Sequence, residues 1–137
     1  MLDERIRTLI HDEQMRSNGR FVEGVDLDEY LAKLDARSEI LALTEGDSCR
    51  GFVAFYCNDV SVGRAFITLM LVDRSERRTG LGRLLTASVL NIAKSRGFIS
   101  CGLEVATWNE PARAMFTSIG FAIAEHRGSK DLLEIAI

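Results

Sequence analysis

A short basic segment has the residue types and spacing that could bind an anion. The stretch ERRTGLGRLL, residues 76–85, sets Gly80 and Gly82 two positions apart among three arginines, Arg77, Arg78 and Arg83. It follows an apolar strand-like run and opens a helical pattern. The first amides of a helix lack carbonyl partners within that helix, and the helix dipole favours negative charge there. The segment therefore predicts an anion site, and an ordinary turn is the alternative that it leaves open.

Two familiar nucleotide-binding loops do not fit this segment. Leu85 stands where a dinucleotide-binding fingerprint has its third glycine, and no Gly-Lys-Ser/Thr follows the glycines. Both loops depend on those residues for close contact with phosphate. The segment therefore matches neither class of nucleotide-binding loop.

Length and charge predict the number of domains and the charge of the ligands. The 137 residues, 47% of them hydrophobic, predict one domain, residues 1–137, around a single core. The net charge is −3, with 8 basic and 13 acidic residues in 1–65 and 9 basic and 7 acidic residues in 66–137. An acidic first half favours a cationic substrate and a basic second half an anionic one. We expect no nucleic-acid partner.

Apolar runs and cysteines exclude other classes. The apolar run Leu69 to Val72, which extends back through Thr68 to Ala65, is far too short to span a bilayer, so we expect a cytoplasmic protein that does not bind membranes. The three cysteines, Cys49, Cys57 and Cys101, are odd in number and lack metal-ligand spacing. They are interpreted as buried thiols, and no metal site is predicted.

Four helices are predicted from periodicity and end signals. The first carries Leu2, Ile6, Leu9 and Ile10 on one face and ends near Gly19, and the second opens on a capping-box-like Asp26 and Glu29. The two later helices and their end signals are Leu81 to Ile92, stopped by Gly97, and the segment from Pro111 to Gly120, where Phe121 is placed for a Schellman-type contact.

Six strands complete the fold. They are predicted at Glu39–Thr44, Arg50–Cys57, Ala65–Val72, Ile99–Val105, Phe121–Arg127 and Lys130–Ile137. The order α, α, β, β, β, α, β, α, β, β predicts an α+β fold. Its mixed sheet would contain an antiparallel meander and one right-handed crossover through the long helix.

A second segment, LEVATWNEPARAMFTSIGF, residues 103–121, helps to interpret the basic segment at residues 76–85. Together with LVDRSERRTGLG it resembles the GNAT superfamily of acyl-CoA-dependent N-acetyltransferases. The resemblance lies in an apolar strand end followed by Arg, two residues, Gly, any residue and Gly, and in Asn109, Ala112 and the pair Gly120-Phe121. It covers Ile67 to Phe121, and Glu39 to Phe66 more loosely. This chain opens with a helix where that family opens with a strand.

The resemblance implies a fold and a co-substrate. The fold would be the GNAT-like one, with a central, mostly antiparallel twisted sheet flanked by helices. Acetyl-CoA would bind with its pyrophosphate wrapped by the backbone amides of Arg77, Arg78, Thr79, Gly80, Leu81, Gly82 and Arg83. The side chains of Arg74, Arg78 or Arg83 are candidates for further phosphate contacts.

The same resemblance places the pantetheine arm. It would pair with the backbone of Met70, Leu71 and Val72, where an amide would also polarise the thioester carbonyl. Asn109, Ala112 and Phe116 belong to the cofactor side, although Asn109 could equally cap the short helix.

The candidate positions for proton transfer are Glu104, Phe116 and Tyr56. Glu104 lies five residues before Asn109, where some related protein N-acetyltransferases carry a general base, and a strand Glu that faces solvent or pairs with an arginine is its alternative. Phe116, seven residues after Asn109, occupies a position where the family commonly has a Tyr acid, and it has no proton to give. Tyr56 is the nearest tyrosine by topology, with a core role as its alternative.

The function implied is an acetyl-CoA-dependent N-acetyltransferase in which a primary amine of a small molecule attacks the thioester directly. FYCND followed by AFITLM resembles family members linked to surface-polysaccharide synthesis, which favours an amino-sugar acceptor. Phe116 motivates the alternative, a non-catalytic acyl-CoA-binding or partner-binding relative. A third reading is an unrelated nucleotide-binding α/β protein. The oligomeric state stays open, a homodimer included.

Overall fold

The computed structural model describes residues 2–137 and contains the predicted elements in the predicted order. The helices are α1 Glu4–Arg16, α2 Leu27–Arg37, α3 Leu81–Ser95 and α4 Glu110–Ile119. The strands are β1 Glu39–Glu45, β2 Ser48–Tyr56, β3 Arg64–Val72, β4 Ser100–Ala106, β5 Ala122–Arg127 and β6 Lys130–Ala136. Two short 3₁₀ helices, Val60–Val62 and Arg74–Glu76, were not expected from the sequence.

The strands form one mixed sheet in the order β1-β2-β3-β4-β6-β5. The connections from β1 to β2 and from β2 to β3 are too short for parallel pairing, which needs a long crossover. β3 and β4 are joined through α3 and pair in parallel, Arg64 opposite Ser100 through Ile67 opposite Leu103. β6 pairs antiparallel with both β4 and β5. The predicted α+β fold with a mostly antiparallel sheet is confirmed.

Local signals explain where the helices begin and end. Asp26 caps α2 by accepting a hydrogen bond from the amide of Glu29 at 3.0 Å, as the sequence predicts. Asp3 caps α1 in the same way, accepting from the amide of Ile6 at 3.1 Å. Beyond α1, Gly19 has a φ of +80° and donates its amide to Gln14, so the glycine closes this helix.

The chain divides into two compact units, and the single domain predicted from the sequence stays a prediction. The first unit comprises residues up to Ala54 together with Leu69–Gly82. Its core joins the apolar faces of α1 and α2 to β2 and β3. The core residues are Leu2, Ile6, Ile10, Leu31, Leu34, Cys49, Phe52, Ala54 and Leu71.

The second unit comprises Phe55–Thr68 and Arg83–Ile137. It contains most of α3, all of α4 and the strands β4, β5 and β6. Its larger buried side chains are Phe55, Ile67, Leu85, Val89, Phe98, Leu103, Phe116, Phe121, Leu132 and Leu133.

All three cysteines are free and buried, as predicted. Burial raises the pKa of the Cys101 thiol to about 12, and it also raises the pKa of Cys49. The thiolate is the reactive form, so these side chains should be inert in the folded protein. We expect no fast reaction of the native protein with DTNB and reaction of all three thiols in guanidinium. A native thiol that reacts within seconds would contradict this expectation.

Candidate functional site

The loop between β3 and α3 has an unusual backbone. After the 3₁₀ turn Arg74–Glu76, Arg78 adopts a φ of +67° and Gly80 a φ of +88°, and α3 begins at Leu81. A positive φ is uncommon for a residue other than glycine. A Cβ built on Gly80 would meet no atom within 4 Å. The backbone at Gly80 therefore borders open space that a ligand can approach closely.

β2 holds both ends of this loop. Arg50 binds Glu76 through two hydrogen bonds of 2.8 and 3.1 Å, and its carbonyl accepts the amide of Asp73 at 2.9 Å. At the other end Leu81 is buried, and a Cβ on Gly51 would lie only 3.0 Å from its Cδ2. A glycine at position 51 thus admits the first residue of α3. The guanidinium of Arg50 lowers the pKa of Glu76, so this anchor is ionic at neutral pH.

Most arginines near the loop already have partners. Arg74 and Arg77 both lie near Glu13 of α1, with N to O distances of 3.5 and 3.4 Å. Arg83 donates a hydrogen bond to the hydroxyl of Ser118 in α4. Arg78 is exposed and makes neither an ion pair nor a side-chain hydrogen bond with any residue from 2 to 137. Of the candidate phosphate-binding arginines, Arg78 is the one that no protein group holds.

Two amides of the predicted wrap point into the loop itself. Arg77 donates to the carbonyl of Arg74 and Thr79 to that of Glu76, each at 3.4 Å. Hydrogen bonds of this length are weak. Within the predicted set from Arg77 to Arg83, the amides of Arg77 and Thr79 therefore face carbonyls of the loop and not a ligand.

The predicted pantetheine contacts Met70, Leu71 and Val72 form the carboxyl end of β3, directly before the loop. The side chain of Leu71 is buried in the core of the first unit. The ladder to β4 covers Arg64 to Ile67, so this end of β3 lies outside it.

Asn109 caps α4. Its Oδ1 accepts a hydrogen bond from the amide of Ala112 at 3.3 Å, and Pro111 occupies the first turn. The capping role that the sequence left open is therefore present in the structure.

Phe116 packs at the other end of α4. The amides of Gly120 and Phe121 donate to the carbonyls of Thr117 and Phe116, which is the Schellman arrangement predicted from the sequence. The Phe116 ring meets the Phe121 ring edge-on at 5.6 Å and is 6% exposed. Phe116 thus has a structural role in closing this helix, whatever its role toward a ligand.

Glu104 is half-exposed on β4 and pairs with Arg127 of β5 at 3.1 Å. Arg127 also binds Glu125 at 3.2 Å, and the two carboxylates raise its pKa. The alternative given for Glu104, pairing with an arginine, is the arrangement found. An exposed ion pair of this kind contributes little to stability, so it does not prevent Glu104 from changing partners.

Tyr56 is the last residue of β2 and lines a cleft of about 200 Å³ that also contains Arg64 and Phe66 of β3. Phe66 lies opposite Gly102, two residues before Glu104 on β4. The role of Tyr56 as a proton donor stays a prediction.

A buried carboxylate was missed by the sequence analysis. Asp131 on β6 has a side chain that is 3% exposed and is bound by Arg113 of α4 and His126 of β5. Arg113 and His126 together lower its pKa. Its only signal in the sequence is weak: Asp131 alternates with Leu133 and Ile135, which places it on the apolar face of β6.

The described part of the chain contains neither a metal-ligand cluster nor a membrane-spanning helix. Residues 2–137 contain no group of three or more His, Cys, Asp or Glu side chains placed to hold a metal ion. No helix among them is both long and apolar enough to cross a membrane.

The fold and the loop together are typical of one class of protein, and known structures with the same fold indicate that class. The crystal structure of the ribosomal-protein-S18-alanine N-acetyltransferase from Escherichia coli matches with a TM-score of 0.73 at 23% identity, over 99% of this chain and 89% of that one. PaiA N-acetyltransferase from Thermoplasma acidophilum, solved in complex with coenzyme A, matches with a TM-score of 0.67 at 18% identity, over 98% and 79%. Both likenesses show a shared fold.

Sequence comparison gives the family. The model of the acetyltransferase (GNAT) family matches residues 6–121, and the chain belongs to this family. The ribosomal protein bS18-alanine N-acetyltransferase of Salmonella typhimurium (strain LT2) is 33% identical over 81 residues, which are 59% of this chain and 53% of that protein. The chain thus matches about half the length of this curated relative.

Proposed function

We propose that this protein is an acetyl-CoA-dependent N-acetyltransferase whose acceptor is a primary amine. The observation that carries the proposal is the loop between β3 and α3, where Arg78 and Gly80 take left-handed conformations beside open space in a chain of the GNAT family. Glycine at this point lets the backbone approach a diphosphate closely.

The structure supports a division of labour among the loop residues. The backbone from Gly80 into the first turn of α3 would meet the diphosphate, and Arg78 would add a charged contact. Glu13 holds Arg74 and Arg77, and Arg50 holds Glu76, so the loop keeps its shape before a ligand arrives. This preorganisation reduces the entropy that binding must overcome.

The chemistry needs two further contributions from the chain. Bound acetyl-CoA would supply the thioester that the amine attacks. A backbone amide at Met70 to Val72 would stabilise the negative charge that develops on the carbonyl oxygen. Glu104 would take a proton from the incoming ammonium group, directly or through water, after Arg127 releases it.

The identity of the acceptor has two candidates. The sequence favours a small molecule, with an amino sugar as the particular expectation. The name of the Salmonella relative favours the terminal amine of a protein that begins with alanine. Either acceptor presents a primary amine to the same thioester, and a cytoplasmic location remains our expectation for both.

A panel of amines with acetyl-CoA tests the function and the acceptor together. It should contain amino sugars, polyamines and short peptides that begin with alanine, with N-acetylated forms of each as matched controls. Release of free coenzyme A and the mass of the product should both report transfer. Turnover of an alanine peptide but of no amino sugar would overturn the small-molecule expectation. Binding of acetyl-CoA without turnover of any amine would favour the non-catalytic alternative.

Phe116→Tyr tests whether the missing acid limits the reaction. If a tyrosine hydroxyl can reach the departing thiolate, kcat should rise, but by about tenfold or less, because a thiolate is already a good leaving group. The hydroxyl also needs a partner if it stays buried beside Phe121, so the variant should lose some thermal stability. Steady-state kinetics and thermal unfolding of both proteins measure the two effects.

The outcomes of this substitution separate three cases. A gain in kcat identifies an enzyme that lacks its acid. An active parent with an unchanged variant shows that protonation does not limit turnover and that Phe116 serves packing. If both proteins bind acetyl-CoA but acetylate nothing, the binding-module alternative replaces the enzyme.

A further inference from the structure

The buried carboxylate of Asp131 links two elements of the second unit. Oδ2 accepts a hydrogen bond from Nη1 of Arg113 in α4, and Oδ1 lies 2.7 Å from Nδ1 of His126 on β5. Both oxygens therefore have a partner. On β6 this residue lies opposite Val105 of β4 and opposite His126.

Stability alone does not account for this group. Removing an aspartate from water is unfavourable, and a buried ion pair is often no more stabilising than apolar side chains of the same volume. What such a pair does provide is direction, because a guanidinium and a carboxylate meet in few geometries. His126 engages the other oxygen and so fixes the orientation in which the carboxylate receives Arg113.

The element held by Arg113 is α4. Arg113 follows Ala112, whose amide is capped by Asn109, and lies three residues before Phe116. At the other end of α4, a Cβ on Gly120 would lie 3.1 Å from Cδ1 of Ile135, so the helix also approaches β6 closely there. The apolar contact at Gly120 limits the distance between α4 and β6. The ion pair between Arg113 and Asp131 sets the rotation of α4 and its register along β6.

We propose that Asp131 is a positioning residue, which holds α4 through Arg113 and so keeps Ser118 of that helix in place for Arg83, at the start of α3 beside the proposed diphosphate site. This inference rests on the proposed function. His126 is the third member of the group and orients the carboxylate. Asp131 itself touches no ligand, and its effect on the reaction passes through the placement of α4.

Asp131→Asn is the principal test, because it keeps the shape and removes the charge that Arg113 and His126 bind. We expect the KM for acetyl-CoA to rise roughly tenfold, because residues that act on a site without touching the ligand typically change binding by a factor of about two to thirty, while kcat changes less. Arg113→Gln should give the same rise in KM. The double variant should add little to it, since both single changes break the same ion pair between α4 and β6. Arg113→Lys should restore part of the affinity.

Glu134→Gln is the matched control. Glu134 also lies on β6 and pairs with an arginine, Arg64 of β3 at 2.7 Å, but this pair does not involve α4. The control should leave the KM for acetyl-CoA unchanged. An equal rise in both variants, or no rise with Asp131→Asn, would overturn the positioning role.

Hydrogen exchange gives a readout that does not need acetyl-CoA. The amides of α4 should exchange faster in Asp131→Asn than in the parent and the control, with those of α3 unchanged. If the parent fails to bind acetyl-CoA, the proposed function is refuted, and exchange still decides whether Asp131 holds α4. Unchanged exchange of the α4 amides would refute the claim that Asp131 holds this helix.

The pH dependence of unfolding supplies one more arm. Arg113 from α4 and His126 from β5 hold the pKa of Asp131 below its ordinary value of 3.8, and Val105 of β4 is apolar. An acid with a lowered pKa in the folded state stabilises the fold above its unfolded pKa and loses that contribution as the pH falls through the folded value. The stability difference between the parent and Asp131→Asn should therefore be full above pH 3.8 and shrink below it. A difference that persists at lower pH would exclude the carboxylate as its source.

Discussion

Gly80→Asp is expected to abolish coenzyme A binding in a protein that remains folded. Gly80 has a φ of +88° and an added Cβ would meet no protein atom within 4 Å, so the substitution costs backbone strain but no clash, and its carboxylate enters the space proposed for the diphosphate. Its carboxylate would also stand against phosphate, and juxtaposed like charges cost several kcal/mol, which weakens binding more than about a hundredfold. Calorimetric titration with coenzyme A measures the loss. Gly82→Asp, in the first turn of α3, is expected to act in the same way.

Two control variants separate the causes of that loss. Gly80→Asn has the same size without the charge, and asparagine tolerates the left-handed conformation, so it should bind better than the aspartate variant. Gly46→Asp places the same side chain at another glycine of positive φ with open space, in the turn between β1 and β2. It should bind coenzyme A like the parent. Full affinity in a folded Gly80→Asp protein would show that the loop is not the site.

The helices and strands follow from signals that are local in the chain. Asp26 and Glu29 fix the start of α2, and Pro111 and Gly120 bracket α4, because caps and turns depend on residues within one helical turn. The family motifs are equally local, which is why the loop at Gly80 could be predicted as a binding site without a structure.

The rest of the site depends on contacts between residues far apart in the chain. Glu13 lies about sixty residues before Arg74 and Arg77, and nothing near either arginine indicates that this carboxylate holds both. The position of β6 between β4 and β5 likewise depends on which strand edges pair. That pairing brings Asp131 opposite His126, so the buried carboxylate stayed hidden within an ordinary strand pattern.

Phe116 shows how a motif and a structure answer different questions. In the family motif this position is commonly a tyrosine that acts as an acid, so the sequence indicates that a hydroxyl is missing. The structure shows what is present, a ring that packs on Phe121 where α4 ends in a Schellman turn. An aromatic residue here is needed for packing even if no acid is needed for catalysis.

Glu104→Gln is expected to lower kcat with little change in the affinity for acetyl-CoA. A general base typically contributes a factor of about a hundred or more, so we expect a loss of roughly that size where the base is needed. Glutamine keeps an oxygen that can accept a hydrogen bond from Arg127, so the substitution removes the proton acceptor while a contact on this face survives.

The pH dependence of this loss identifies its origin. An amine attacks the thioester only after it has lost its proton, and at low pH nearly all of the acceptor is protonated. The defect of Glu104→Gln in kcat/KM should therefore be largest at low pH and narrow as the pH approaches the pKa of the acceptor, where the free amine no longer needs a base. Rates from pH 6 to about pH 10 measure this trend.

Glu125→Gln is the matched control for Glu104→Gln. Glu125 is the other carboxylate bound to Arg127, so it removes the same charge from the same exposed ion pair and leaves Glu104 in place. If Glu104 acts only through the local charge, both variants should slow the reaction alike at every pH. If Glu104 takes the proton, only its own replacement should produce the defect at low pH. Equal rates for Glu104→Gln and the parent across the range would remove Glu104 from the mechanism and leave water or a carboxylate of the acceptor as the base.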